Sequence, residues 1–274
     1  MSTSFELTIK PRSGWQPINL AEISHHRELL GFLIWRDIKI RYRQTILGGL
    51  WAILQPLLAM LIFTVVFNRF AGVRSDGPPY PLFAYAGLTA WFFFTNSVSQ
   101  SSNSLVSHQH LVSKIYFPRI FIPIGAMGAF LIDLLLSLTL CFGLMLHYHW
   151  PITRNLLLLP IFIVGCILTA GGTGLILSAV NVNFRDVKYA VPFLIQMGLF
   201  VTPVIYPARY IPPKWQSLVG LNPMAGMVMG FRHALLGSPA SWTLMSISLA
   251  TSLLLFVVGL FIFRRMELRF ADII

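Results

Sequence analysis

The sequence predicts an all-α integral membrane protein. Six transmembrane helices are expected, with an N-terminal amphipathic interfacial helix and a re-entrant outer segment before the last span. Three observations carry that expectation. Of 274 residues, 56% are hydrophobic and only 11% charged, whereas a soluble domain carries about a quarter charged residues. Six long apolar runs contain one Asp, Glu, Lys or Arg between them, Asp133. Between residues 183 and 236 the apolar pattern is interrupted by Pro192, Pro203, Pro212, Pro213 and Pro223.

The first 24 residues are polar, include Pro11 and Pro17, and are too few for a domain. With no long apolar run before residue 46, they are expected to form a cytosolic arm rather than a cleaved leader. From Arg27 to Arg43 the chain becomes amphipathic. Arg36, Lys39 and Arg43 recur at helical spacing on one side, while Ile34, Ile38 and Tyr42 form another with Trp35 alongside. Such a helix lies in the interface plane, its basic side toward headgroups or a protein partner. Phe32 among the basic positions leaves the pattern imperfect. Residues 1–45 are therefore separated from a transmembrane domain over 46–274.

The six spans are expected at 46–67, 82–106, 120–146, 156–180, 189–206 and 242–263. A charge at the centre of a span costs about 2.5–3.5 kcal/mol on insertion scales, which explains why the runs are nearly free of charge. With the N-terminus inside, 14 of the 20 Lys and Arg fall on the cytoplasmic side. The positive-inside rule then places both termini in the cytoplasm. The net charge of +11 is accounted for by a basic rim facing anionic lipid and calls for no nucleic acid.

The segment after the fifth run sets up the re-entrant reading. Residues 221–236, opening on Asn222, Pro223 and Met224, would make a helix about 24 Å long, short of a hydrocarbon core of about 30 Å. Irregular backbone at that depth persists only where protein or a water-filled cavity satisfies it. Gly125, Gly128 and Ala129, and Gly171, Gly174 and Ser178, lie at helical spacing and are read as close-packing faces.

Few residues point to chemistry. Asp133 admits two readings, a proton or ion site, or an acid hydrogen-bonded within the bundle or facing an aqueous cavity. The pairs His108/His110 and His147/His149 sit at span ends without a third ligand, so no metal site is expected. Gly171-Gly172-Thr173-Gly174 lacks the Lys of a phosphate loop, so this chain is expected to hydrolyse no ATP. Cys141 and Cys166 fall inside spans and are read as small hydrophobes. Phe83, Trp91 and Phe94 share a side of the second run, and Phe200 and Tyr206 mark the outer half of the fifth. Aromatic faces suit a conduit for sugar rings, and equally suit lipid or interface.

Taken in order, the basic amphipathic helix, six runs, Lys114-Ile115-Tyr116-Phe117-Pro118-Arg119, Asn183-Phe184-Arg185-Asp186, Thr202-Pro203-Val204-Ile205-Tyr206 and Leu221-Asn222-Pro223-Met224 resemble the ABC-2 type transporter family. The likeness is nearest to membrane subunits that export O-antigen, capsule or teichoic-acid polymers. It runs from about Arg27 to the Phe270-Ala271-Asp272 tail.

The resemblance implies a permease rather than an enzyme. It implies a homodimer in the bacterial inner membrane, with a lipid-linked polysaccharide as substrate and two copies of a separate ATPase subunit that bind ATP and Mg. It assigns ATPase coupling to Arg36, Lys39, Lys114, Arg119, Arg185 and Asp186 and an outer gate to Asn222, Pro223 and Met224; the five aromatics are expected, from their own placement, to line the channel. Export of a small drug or lipid is the alternative within the family, and an integral membrane transferase the alternative outside it.

Overall fold

The computed structural model describes residues 24, 26–43, 49–114, 117–239, 241–267 and 270. The expected arm over 1–24, the start of the first expected span and the 271–272 tail lie outside these, Ser24 apart. Among the described residues the chain is helical throughout, with no strand.

Helix α1 (Arg27–Arg43) precedes α2 (Leu50–Phe63), which tolerates Pro56 and passes without interruption into a π-helical turn over Thr64–Phe70. Helix α3 (Tyr80–Ser107) opens on Pro79 and Pro81, where a missing N–H costs nothing. The short α4 (Gln109–Lys114) follows. Helices α5 (Phe121–Gly128) and α6 (Phe130–His147) meet at Ala129, whose backbone remains right-handed helical, so they act as one long rod. A 3-10 turn (Arg154–Leu158) leads into α7 (Leu159–Asn183). Helix α8 (Val187–Val201) follows a tight turn at Arg185 and Asp186.

Two short helices, α9 (Pro213–Leu221) and α10 (Pro223–Leu236), precede α11 (Trp242–Glu267). Asn222 caps α10 by accepting from the Met224 N–H at 3.1 Å. Gly237 ends it with φ 66°, a left-handed stop that an L side chain resists.

Four helical stretches are long and apolar enough to cross a membrane: Leu50–Phe70, Phe121–His147, Arg154–Asn183 and Trp242–Glu267. The other two expected spans fall short for different reasons. Helix α3 has ample length, but its second half is rich in Ser, Asn and Gln. Helix α8 is apolar, but its 15 residues reach only about 22 Å.

Helix α3 is the hub, packing against α2, α5, α6, α7, α8 and α10. Helices α7 and α11 form the other extensive contact, and glycine makes it possible. A Cβ built on Gly172 would lie 2.6 Å from the Leu255 carbonyl oxygen, and one on Gly259 equally close to that of Gly172. The backbones themselves touch. The expected small-residue face is thus divided: Gly171 meets α11, as does its neighbour Gly172, while Gly174 meets Ser101 of α3.

The bend between α9 and α10 dips into the bundle. Ser248 of α11 donates to the carbonyls of Gly220 and Asn222 at 2.9 and 3.2 Å. The far end of α10 returns to the start of α11, where the His233 and Trp242 rings lie 5.1 Å apart. Six residues separate Trp242 from Ser248, about 9 Å along α11.

Candidate functional site

Two ends of the bundle gather the polar side chains, and each has its own logic. At one end a compact core of Leu33, Leu105, Phe117, Phe121, Val182, Phe263 and Phe270 joins α1 to the ends of α3, α7 and α11 and to the start of α5. Two of the expected coupling residues, Arg36 and Arg119, bond beside this core. Arg36 forks onto Asp37 at 2.8 and 2.9 Å and reaches His108 Nε2 at 2.9 Å. His108 Nδ1 lies 2.9 Å from the Ser104 carbonyl, an acceptor only, so Nδ1 carries the proton and Nε2 accepts from the guanidinium. Arg119 ties the turn before α5 to α11, its side chain donating to the Glu267 carbonyl at 2.7 Å and its backbone N–H to the Glu267 carboxylate at 3.1 Å. Lys39, Arg185 and Asp186 are exposed. Lys114 ends α4, and its side chain lies outside what is described.

Asp133, 6% exposed, is held by α1. Arg41 Nη2 lies 2.6 Å from Oδ2, the Tyr42 hydroxyl donates to Oδ1, and the Arg41 guanidinium sits 4.1 Å from the centre of the Phe130 ring. Burial first, and the bond to Asp133 second, push the Tyr42 phenol above its ordinary pKa. The acid therefore bonds outside its own span, to Arg41 and Tyr42 of α1. The same carboxylate lines a narrow cleft with Gln55 of α2, Thr89 and Asn96 of α3 and Ser137 of α6, among apolar side chains that include Phe92, Phe93 and Phe130.

At the opposite end a cation is buried and bonds to main-chain carbonyls. Arg232 of α10 is 3% exposed. Its Nε donates to the Phe83 carbonyl at 3.1 Å, Nη1 to Pro203 at 2.6 Å, and Nη2 to Val204, with the guanidinium 3.5 Å from the centre of the Phe83 ring. Asn222 Nδ2 donates to Thr202 Oγ1 at 2.9 Å, and the Tyr80 hydroxyl to the Ile205 carbonyl at 2.8 Å. The irregular strap over 202–206 is thereby pinned from α3 and α10 together. Arg209 closes the same end with an ion pair to Asp76 at 3.0 Å. Of the expected gate residues, Asn222 both caps α10 and holds the strap, Pro223 begins the helix, and Met224 is buried.

The five aromatics are not gathered on one open face. Trp91 is 5% exposed, its ring against Gly198 of α8 and 5.6 Å from that of Phe94. Phe83 is buried as the seat for Arg232. Phe94 and Tyr206 are half-buried, and Phe200 is 54% exposed. Sequence reading missed a polar stripe on α3. Asn96, Ser99, Gln100, Asn103 and Ser107 recur at helical spacing and are all at least partly exposed. Their spacing was readable; their exposure was not.

Among the described residues, no three His, Cys, Asp or Glu come together as a metal site. Nothing in the sequence marks Arg232 or Arg41: the first lies outside the six apolar runs, and the second sits off the Arg36, Lys39 and Arg43 side of its helix.

The profile described as ABC-2 type transporter matches residues 28–236. An O-antigen export system permease protein RfbA of Klebsiella pneumoniae is 29% identical over 248 residues, covering 90% of this chain and 95% of that protein. An O-antigen export system permease protein RfbA of Myxococcus xanthus is 32% identical over 214 residues, 77% of this chain and 81% of the relative. The polysialic acid transport protein KpsM of Escherichia coli is 28% identical over 210 residues, 74% of this chain and 80% of that protein.

Proposed function

The chain belongs to the ABC-2 type transporter family, and from that membership we propose that it is the membrane permease subunit of an ATP-driven polysaccharide exporter. The observation that carries this is the breadth of the match. Permeases named for O-antigen export and for polysialic acid transport align over most of their own length, not over one shared motif. The polymer is a lipid-linked glycan, and ATP is hydrolysed by a separate subunit.

The chain crosses the bacterial inner membrane six times, with α3 and α8 completing the four apolar spans and residues 1–45 forming the arm and α1. Both termini are cytoplasmic, which sets the α1 end inside and the Arg232 end outside. Helices α9 and α10 are the re-entrant segment, a reading supported by the level of Asn222 beside Ser248. Its bend and the strap over 202–206 form the outer gate.

Two copies assemble, because one bundle of this size has no room for a polymer and a two-fold interface does. Two copies of the ATPase dock at the α1 end. The exposed Lys39, Arg185 and Asp186, with Arg36, Lys114 and Arg119, receive its motion. Coupling then requires that the ATPase contact these groups differently in its two states.

The conduit follows α3. Half-exposed amides and hydroxyls on a span are costly against lipid and suited to water and sugar hydroxyls. The stripe from Asn96 to Ser107 therefore faces the path, with Phe94, Phe200 and Tyr206 above it and Trp91 uncovered when α8 moves.

Deleting the gene for this chain tests the proposal. Surface glycan should vanish while polymer accumulates inside, and the chain supplied in trans should restore export. Unchanged surface glycan, with loss of efflux of a small amphiphile, would replace the polymer with the family's alternative substrate.

A further inference from the structure

We infer that Asp133 is a positioning residue for transport, the latch by which α1 is fastened to the wall of the conduit. The inference rests on the exporter reading above. It concerns a residue that neither the coupling set nor the channel set contains.

Three observations converge on this acid. The first is the register of α1 on the α5–α6 rod. Cβ atoms built on Gly125 and Gly128 would meet the Leu33 and Ile34 side chains at 3.3 and 2.8 Å, so these α1 side chains seat directly on the glycines of α5. Eight residues on from Leu33 is Arg41, and eight on from Gly125 is Asp133. The two helices run parallel, and the close apolar contact ends in the ion pair and the Tyr42 hydrogen bond.

The second is the junction at the latch. The Tyr42 ring lies 3.2 Å from a Cβ built on Gly49, which immediately precedes α2, and Asp133 shares its cleft with Gln55 of α2 and Asn96 of the α3 stripe. A shift of α1 therefore reaches the first span and the polar stripe through one carboxylate.

The third is the economy of charge. An acid in a span is unfavourable, and pairing it with an Arg41 side chain that stays 34% exposed compensates weakly compared with apolar packing of the same volume. What the pair supplies instead is a fixed orientation of Arg41 and Tyr42, which an apolar contact would leave free to slide.

In the working cycle, α1 moves with the ATPase and the latch carries that displacement to α2 and α3. Without it, hydrolysis proceeds and the conduit does not follow.

The test uses the complex of this chain with its ATPase in lipid, with lipid-linked glycan as probe. Asp133→Asn should leave basal ATPase within twofold of wild type but reduce glycan stimulation and transport at least tenfold. Arg41→Asp should do the same. The exchanged pair Arg41→Asp with Asp133→Arg should recover transport at least threefold over either single variant, a rescue that generic loss of packing does not give.

A readout independent of transport is thiol labelling of Leu33→Cys, on the buried face of α1 against α5. Labelling should be at least fivefold faster with Asp133→Asn than without it. If Asp133→Asn does not assemble, Tyr42→Phe, which removes one hydroxyl, should lower transport severalfold at unchanged basal ATPase.

Transport by Asp133→Asn within twofold of wild type, or by Tyr42→Phe where that variant is needed, overturns the inference. So does an exchanged pair no better than the single variants. Failure of the wild-type complex to respond to glycan would instead refute the exporter reading, and the labelling result would still decide whether the latch exists.

Discussion

Replacing Arg232 by Met removes a cation whose three bonds all end on main-chain carbonyls. The Phe83 carbonyl lies inside α3 and keeps its helical partner. Those of Pro203 and Val204, in the strap, lose their donor. A buried polar group left unsatisfied costs about 1–3 kcal/mol, so two of them cost about 2–6 kcal/mol. Met returns the stem's packing and removes the cost of burying a charge, which places the net effect toward the lower half of that range.

At about 2–4 °C per kcal/mol for a chain of this size, the unfolding midpoint in detergent should fall by about 5–15 °C. Arg232→Lys keeps the charge but not the planar fork, and should fall between Met and wild type. Thermal unfolding followed by size-exclusion fluorescence reads both. A Met variant melting within about 2 °C of wild type would refute the idea that this guanidinium pins the strap.

Gly172→Ala should destabilise the bundle by about 1–3 kcal/mol by forcing α7 from α11, whereas Gly143→Ala, with nothing within 4 Å of the new Cβ, should be neutral or slightly stabilising in the same melt. Replacing Arg185 and Asp186 together by Ala should leave membrane insertion intact and lower export at least tenfold relative to ATP hydrolysis; normal export would remove their coupling role. Trp91→Ala should impair glycan export more than Phe92→Ala, and equal effects would reduce Trp91 to packing between α3 and α8.

Local features were legible in the sequence and long-range ones were not. The last apolar run and α11 begin together at Trp242, because hydrophobic length and the bilayer dictate one another. The break at residues 222–223 was legible because Asn before Pro both caps a helix and refuses to continue one. The partner of Asp133 was not. Arg41 lies 92 residues away, and helical spacing says nothing about which neighbouring helix a face will meet.

Arg232 was hidden by its setting in a short apolar helix, where a lone Arg resembles a residue at the membrane edge. The six-span expectation met its limit at α3, whose polar stripe lowers hydropathy for the same reason that it suits a hydrated path. Gly172 escaped notice because the stripe of Gly171, Gly174 and Ser178 matched helical spacing equally well. Only the position of α11 distinguishes the glycine that touches its backbone.

The most direct test of the central claim is ATP hydrolysis by this chain purified with its ATPase subunit in lipid, measured with and without lipid-linked polysaccharide, alongside the mass of the assembly. A complex of two permeases and two ATPases whose hydrolysis rises with the glycan is the predicted result. A chain that forms no complex with an ATPase, or a complex stimulated only by small amphiphiles, would contradict it.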